Sequence, residues 1–201
     1  ARKAKALVDA GLKNVNLSLD SLDPEKFKKM GRVGKLNKTL EGIEACLEYG
    51  LSVKTNMVVI KGENDDEIVK MLEYCVAHGV EVRYLELMSM GPLHNNDDYK
   101  LVSMKEMLKR ISAKYEVQPI SAEADSTSLR YSVPGGYFGI IPNNSAPFCS
   151  TCSRLRLTSN GQLIGCLSNP EPVSVRHLLE QPDRADALQK LVKKSVSYKQ
   201  D

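Results

Sequence analysis

SVKTNMVVIKGENDDEIVKMLEYCVAHGVEVRYLELM, Ser52 to Met88, reads as strand, helix, strand, and that order decides the fold class. SVKTNMVVI (Ser52 to Ile60) has the length and character of a strand. KGENDDE leads into a helical stretch from about Asp65 to His78, and Gly79 supplies its stop. VEVRYLELM (Val80 to Met88) is the next strand, closed by SMGP. A crossover of this size joins parallel strands with a right-handed twist.

The same grammar holds upstream. VNLSL (Val15 to Leu19) reads as a strand, and in SLDPEKF Asp23 caps a helix whose first position is Pro24, with Glu25 beside its positive end. Leu40 to Tyr49 is helical and stops at Gly50; ARKAKALVDAGLKNV opens directly in a helical pattern and stops at Gly11. Alternating strands and helices predict an α/β fold, either a (β/α) barrel or an open doubly wound sheet. Three strands cannot close a barrel and leave an open parallel edge, so the chain is expected to be the later part of a longer one.

From about Gly91 the pattern changes. GPLHNNDDYK is a polar loop, including the solvated run Asn95 to Asp98, and Ser103 caps a helix running to Ala113. LRYSV and YFGII flank a turn at Pro134-Gly135-Gly136, RLRLT and QLIGC flank Ser159-Asn160-Gly161, and Val173 to about Lys194 reads as two short helices broken at Gln181-Pro182. Two domains are expected, βα units over 1–91 and a smaller α+β domain with β-hairpins over 92–201. The acidic run Glu63 to Glu67 reads as dipole complementation at a helix start.

Composition bounds the function. With 201 residues, 42% hydrophobic and 26% charged, the chain is an ordinary globular one. No apolar run approaches the roughly 18 to 20 residues of a membrane helix, and nothing reads as a signal peptide. A net charge of only +3 does not imply a bulk nucleic-acid-coating role. Five cysteines, an odd number, argue for a reducing compartment in which thiols bind metal or lie buried.

Three of those cysteines fall in FCSTCSRLRLTSNGQLIGC, Phe148 to Cys166, as C-x2-C followed after thirteen residues by a third. The hairpin returns Cys166 towards Cys152. A three-residue turn with Gly161 as a bulge sets Arg154 opposite Cys166, whereas a two-residue turn would set Leu155 there; the first is preferred, because Arg154 and Arg156 then share the metal's face. Structural zinc wants four closed ligands, and Cys166-Leu167-Ser168 offers no second pair. An iron–sulfur cluster held by three thiolates is the competing assignment, and three unconnected core cysteines a third. Cys46 and Cys75 lie in helical patterns and read as small core residues.

This stretch, with VNLSLDSLDPEKF, VKTNMVVIKGENDDEI and VEVRYLELMSMG, resembles the GTP 3′,8-cyclase family of molybdenum cofactor biosynthesis, radical S-adenosylmethionine enzymes, from Ala1 to at least Leu179. The resemblance implies an incomplete (β/α) barrel followed by a C-terminal domain with a second [4Fe–4S] cluster. In the family a first cluster, on a C-x3-C-x2-C motif, cleaves S-adenosylmethionine to a radical that abstracts hydrogen from ribose C3′ of GTP. C3′ then bonds to C8, giving 3′,8-cyclo-7,8-dihydro-GTP, which cyclic pyranopterin monophosphate synthase processes downstream. The second cluster has three cysteine ligands and binds guanine at its open iron; Cys149, Cys152 and Cys166 match them. Lys54, Arg154, Leu155 and Arg156 match GTP contacts, and Ser18 and Met88, late on their strands, match S-adenosylmethionine contacts. Arg83 also resembles a family arginine near the substrate, but its parity differs from that of Met88 on the same strand, so it is not assigned. The C-x3-C-x2-C motif and the Gly-Gly tail of many members are absent from these 201 residues, and the chain alone is expected to be inactive. No nucleic-acid or membrane partner is implied, homodimerisation is left open, and the expected location is the cytoplasm, or an organelle for a eukaryotic source. The alternative class is a non-catalytic zinc or iron–sulfur module for electron transfer or protein contact.

Overall fold

The computed structural model describes residues 3–31, 34–88, 100–121, 126–147, 152, 154–167, 171–180 and 184–197. The described residues of 1–87 and 100–146 form one compact unit, and those of 88–99 and 147–201 another.

The first unit runs α1 (Ala4–Asp9), β1 (Asn14–Ser18), α2 (Pro24–Gly31), α3 (Leu36–Glu48) and β2 (Ser52–Val59). A 3-10 turn (Asp65–Glu67) enters α4 (Ile68–Ala77), which leads to β3 (Glu81–Glu86); α5 (Met104–Ser112), β4 (Gln118–Ile120), β5 (Leu129–Val133) and β6 (Gly136–Ile141) follow. Local chemistry sets the boundaries. Asp23 Oδ1 accepts the amides of Glu25 (2.8 Å) and Lys26 (3.0 Å) at the start of α2, and Ser103 Oγ accepts that of Glu106 at α5. Gly79 ends α4 at φ +66°, where the Val80 amide turns back to the Cys75 carbonyl at 2.8 Å.

The sheet order is β1-β2-β3-β6-β5-β4. β1, β2, β3 and β6 run parallel to one another, while β5 is antiparallel to both β6 and β4. This mixed α/β architecture agrees with the fold class read from the alternation. The expected division at 91/92 does not describe the compact units: residues 100–146 extend the sheet, because β6 hydrogen-bonds to the open edge of β3 and so satisfies it.

Alternation gives the sheet two unlike faces. Val53, Thr55, Met57 and Val59 of β2, Val82, Tyr84 and Glu86 of β3, and Phe138 and Ile140 of β6 are buried. The apolar ones share a core with Ile43 of α3, Met71, Leu72 and Cys75 of α4, and Met107 and Ile111 of α5. Tyr84 meets Phe138 edge-on at 6.1 Å and donates its hydroxyl to the Ile68 carbonyl at 2.7 Å. Positions between these face away from that core and are largely polar.

The second unit contains a small antiparallel sheet of β7 (Arg156–Leu157), β8 (Gln162–Ile164) and β9 (Val173–Ser174), then a 3-10 turn (Arg176–Glu180) and α6 (Arg184–Val196). Val173 therefore begins a strand, not the first of two helices. Its pairing with Leu163 buries both side chains, and the Val175 amide donates to the Gly161 carbonyl at 2.9 Å, so sheet contacts override the local helical pattern. Gln181-Pro182 and Asn95 to Asp98 lie outside the described residues. Among the described residues, no helix is long and apolar enough to cross a membrane.

Candidate functional site

On the polar face of the first unit, register aligns the candidate residues in two rows. Ser18, Asn56, Arg83, Gly139 and Arg130 are successive partners across β1, β2, β3, β6 and β5. One row nearer the start of the parallel strands, Asn16 pairs with Lys54 and Lys54 with Glu81. Ser18 is the last residue of β1, as expected, and is exposed. Met88, half-buried, lies two residues beyond the end of β3.

That last point corrects the treatment of Arg83. Strand parity applies only inside the strand, and β3 ends at Glu86, so Met88 places no constraint on Arg83. The guanidinium donates from Nε to Asn56 Oδ1 (2.9 Å) and from Nη2 to Asn16 Oδ1 (2.7 Å). Two amide oxygens thus hold it along the rows while leaving its full charge uncompensated by them. Burial lowers its pKa, and the neighbouring charge of Glu81 acts in the opposite direction.

The ends of these strands are braced by buried polar groups. Asp20, two residues after Ser18, accepts the Val58 amide on Oδ1 at 2.9 Å; burial raises its pKa and this hydrogen bond opposes the rise. Buried Asn64 donates to the carbonyls of Asp20 (2.7 Å) and Val58 (2.9 Å) and accepts the Ile60 amide at 2.8 Å. Buried Glu67 accepts the Ser21 hydroxyl and the Leu22 amide. Glu63 bonds Lys29 and Lys100, Asp65 bonds Arg110, and Asp66 bonds Lys26. The acidic run is therefore a set of individual tethers, beyond the dipole role read from sequence.

Glu86 is the residue that sequence reasoning missed most completely. Its carboxylate is 1% exposed and takes the amides of Met104 (2.7 Å), Asn144 (2.7 Å) and Ser145 (2.8 Å) and the Ser145 hydroxyl. It joins the end of β3 to the start of α5 and to the segment just before Phe148. Nothing local in LELM announces this, since the donors lie 18 to 59 residues away.

In the second unit, Arg156 pairs with Ile164 and Leu157 with Leu163. The Thr158 amide donates to the Gln162 carbonyl (2.9 Å) and the Gly161 amide to the Thr158 carbonyl (3.0 Å), with Gly161 at φ +79°. This is the three-residue turn read from the sequence; its printed register ends at the Arg156–Ile164 pair, two residues short of Cys166. β7 covers only Arg156 and Leu157, so Arg154 and Leu155 precede the strand; all three of Arg154, Leu155 and Arg156 are exposed. Cys152 and Cys166 are half-buried, and Cys149 lies outside the described residues. Among the described residues, no group of three or more His, Cys, Asp or Glu side chains could hold a metal ion. Gly165 fixes the path into Cys166: a Cβ there would collide with the Ser195 carbonyl of α6. By contrast, Cys75 is a core thiol, pushed up to about 11 by burial despite a 3.4 Å contact with Thr55 Oγ1, and Cys46 packs partly buried against the same core.

Two family models match this chain: Molybdenum Cofactor Synthesis C over residues 80–201 and the Radical SAM superfamily over residues 1–75. A GTP 3′,8-cyclase of Helicobacter pylori strain J99 is 38% identical over 199 residues, which cover 98% of this chain and 61% of that protein. A GTP 3′,8-cyclase of Sulfurovum sp. is 39% identical over 190 residues (94% and 58%), and one of Listeria monocytogenes 38% over 204 residues (99% and 60%). The chain spans about three fifths of the length of these curated relatives.

Proposed function

The chain belongs to the Molybdenum Cofactor Synthesis C family, and from that premise we propose that it serves the conversion of GTP to 3′,8-cyclo-7,8-dihydro-GTP. The parallel βα units are, on this reading, part of an incomplete (β/α) barrel with a smaller C-terminal domain. The helices that build the core pack on one sheet face while the other is polar, as a barrel interior lined by a substrate requires; a doubly wound sheet is covered on both faces.

Cys149, Cys152 and Cys166 hold a [4Fe–4S] cluster. The donor set fits: soft thiolates suit iron–sulfur ligation, and three of them leave one coordination position for a purine. When bound, the cluster and S-adenosylmethionine supply guanine coordination and one-electron chemistry at the ribose. The chain's own residues bind and orient. Arg154 and Arg156 present guanidinium forks that grip phosphate oxygens in pairs, Leu155 offers backbone groups between them, and Lys54 adds a point charge. Ser18 and Met88 contact S-adenosylmethionine at the strand ends, where Asp20 and Asn64 keep the loop after β1 in place. The C-x3-C-x2-C motif is not among these residues, so radical formation is assigned to none of them, and the 201-residue chain alone is expected to leave GTP unconverted. The product would pass to cyclic pyranopterin monophosphate synthase.

The observation that supports this reading is the hairpin that pairs Arg156 with Ile164, two residues before Cys166, so that a proposed phosphate-binding cation and a proposed cluster thiol lie on one ribbon. Anaerobic reconstitution with iron and sulfide, followed by GTP titration under electron paramagnetic resonance, tests it. A cluster signal that GTP alters is expected. Bound zinc with no response to GTP overturns the proposal in favour of a non-catalytic metal module.

A further inference from the structure

Three cations of the first unit's polar face surround one carboxylate. Arg130 Nη2 donates to Glu81 Oε2 at 2.7 Å, and Lys54 Nζ stands 3.9 Å from the same oxygen. Arg83 neighbours both in register, two positions along β3 from Glu81 and one strand from Gly139, which is itself the partner of Arg130. Gly139 keeps the two arginines from being separated by a side chain: a Cβ there would lie 3.2 Å from Arg83 Cγ and would collide with Ser128 Oγ. The Arg130 guanidinium also stacks 5.4 Å from the Tyr137 ring. A cleft of about 300 Å³ opens beside Lys54, Glu81, Arg130 and Tyr137.

The Glu81–Arg130 pair is not closed on itself. The Glu81 side chain is only 10% exposed, yet its Oε1 and Arg130 Nε are both buried without a hydrogen-bond partner. A purely structural bridge would use its spare donor and acceptor, because leaving them unmade at low dielectric is costly. Three cations against one anion also leave a net positive wall, which suits a polyanion.

We infer that Arg130 is a further polyphosphate ligand beside Lys54, and that Glu81 is the resting counter-ion from which a nucleotide polyphosphate draws these cations away. This rests on the GTP reading above. The carboxylate keeps the cations oriented before substrate arrives, and it weakens binding of the phosphate chain, which it repels.

The test is anaerobic calorimetric titration of the chain reconstituted with iron and sulfide, using inorganic tripolyphosphate, GTP, ATP and guanosine at low ionic strength. Arg130→Ala is expected to weaken tripolyphosphate and GTP about tenfold and leave guanosine unchanged, with Arg130→Lys intermediate. Glu81→Gln is expected to tighten both phosphate ligands about fivefold, a gain that misfolding cannot imitate. Absence of tripolyphosphate binding by the unsubstituted chain, or phosphate affinities unmoved by either substitution, overturns the inference; GTP binding that persists then leaves the functional reading standing. If the expected shifts occur but GTP binds no better than ATP, the polyphosphate seat stands and the guanine-specific reading falls.

Discussion

Twenty buried apolar residues form one connected core in the larger unit, whereas Leu163, Val173 and Leu178 are the buried apolar side chains among the described residues of the smaller. The larger unit is thus held by hydrophobic burial at about 25 cal/mol per Å², and its polar face is spared for binding. Among its described residues the smaller unit buries few apolar side chains. Small units of this kind are commonly completed by a metal or by disulfides. The contrast teaches that the cysteines of the two units differ in setting: Cys75 is core filling, while Cys152 and Cys166 sit half-buried in the smaller unit.

The sharpest way to break this contrast is to remove the cluster. Metal-dependent small folds draw most of their stability from the ligand bonds. Anaerobic chelation of the reconstituted chain should lower amide-exchange protection over 156–164 and 184–196 by about 100-fold or more while leaving 53–59 unchanged, in proportion to the lost metal-binding free energy. Equal protection before and after would show that apolar packing suffices for both units. Next in size is Glu86→Ala, which removes a buried carboxylate that holds three part-buried amides and a hydroxyl. It should cost the larger unit about 3 kcal/mol in urea unfolding, since several hydrogen bonds to one charged group are lost together. A loss below about 1 kcal/mol would mean water replaces the carboxylate.

Gly165→Ala sharpens the comparison from the other side. The added methyl meets the Ser195 carbonyl, so overpacking should cost the smaller unit about 1 to 3 kcal/mol and reduce iron retained per chain, with the larger unit's urea transition unmoved. The smallest effect belongs to Glu63, whose pKa is held down from 4.5 to about 2 by hydrogen bonds from Lys100 and Lys29. A depressed carboxylate stabilises above its unfolded pKa and loses that contribution as pH falls through the folded value. Melting temperatures of the native chain and Glu63→Gln should therefore differ slightly at pH 6 and converge as pH drops below 4.5 towards 2.

Much of the local structure was legible. Asp23, Ser103 and Gly79 each act within a few residues, and the structure uses them as read, while the turn read over Pro134-Gly135-Gly136 is two residues long, with Gly136 opening β6 opposite Val133. The turn at Ser159 to Gly161 was legible for the same reason. Val173 was misread because its pairing with Leu163 outweighed its local pattern. Arg83 was set aside because the end of β3 was placed at Met88, two residues beyond its true end at Glu86.

By itself the sequence determined the alternation of strands and helices, the caps and turns, and the three thiols that identify the family, all of which depend on spacing along the chain. Only the tertiary structure decided that β6 pairs with β3, that Arg130 reaches Glu81 across 49 residues, and that Glu86 gathers donors from two later segments. Such contacts follow from which sheet edge remains open and in which register it is filled. Those choices minimise unpaired backbone and exposed apolar surface over the whole unit, so no short window of residues encodes them.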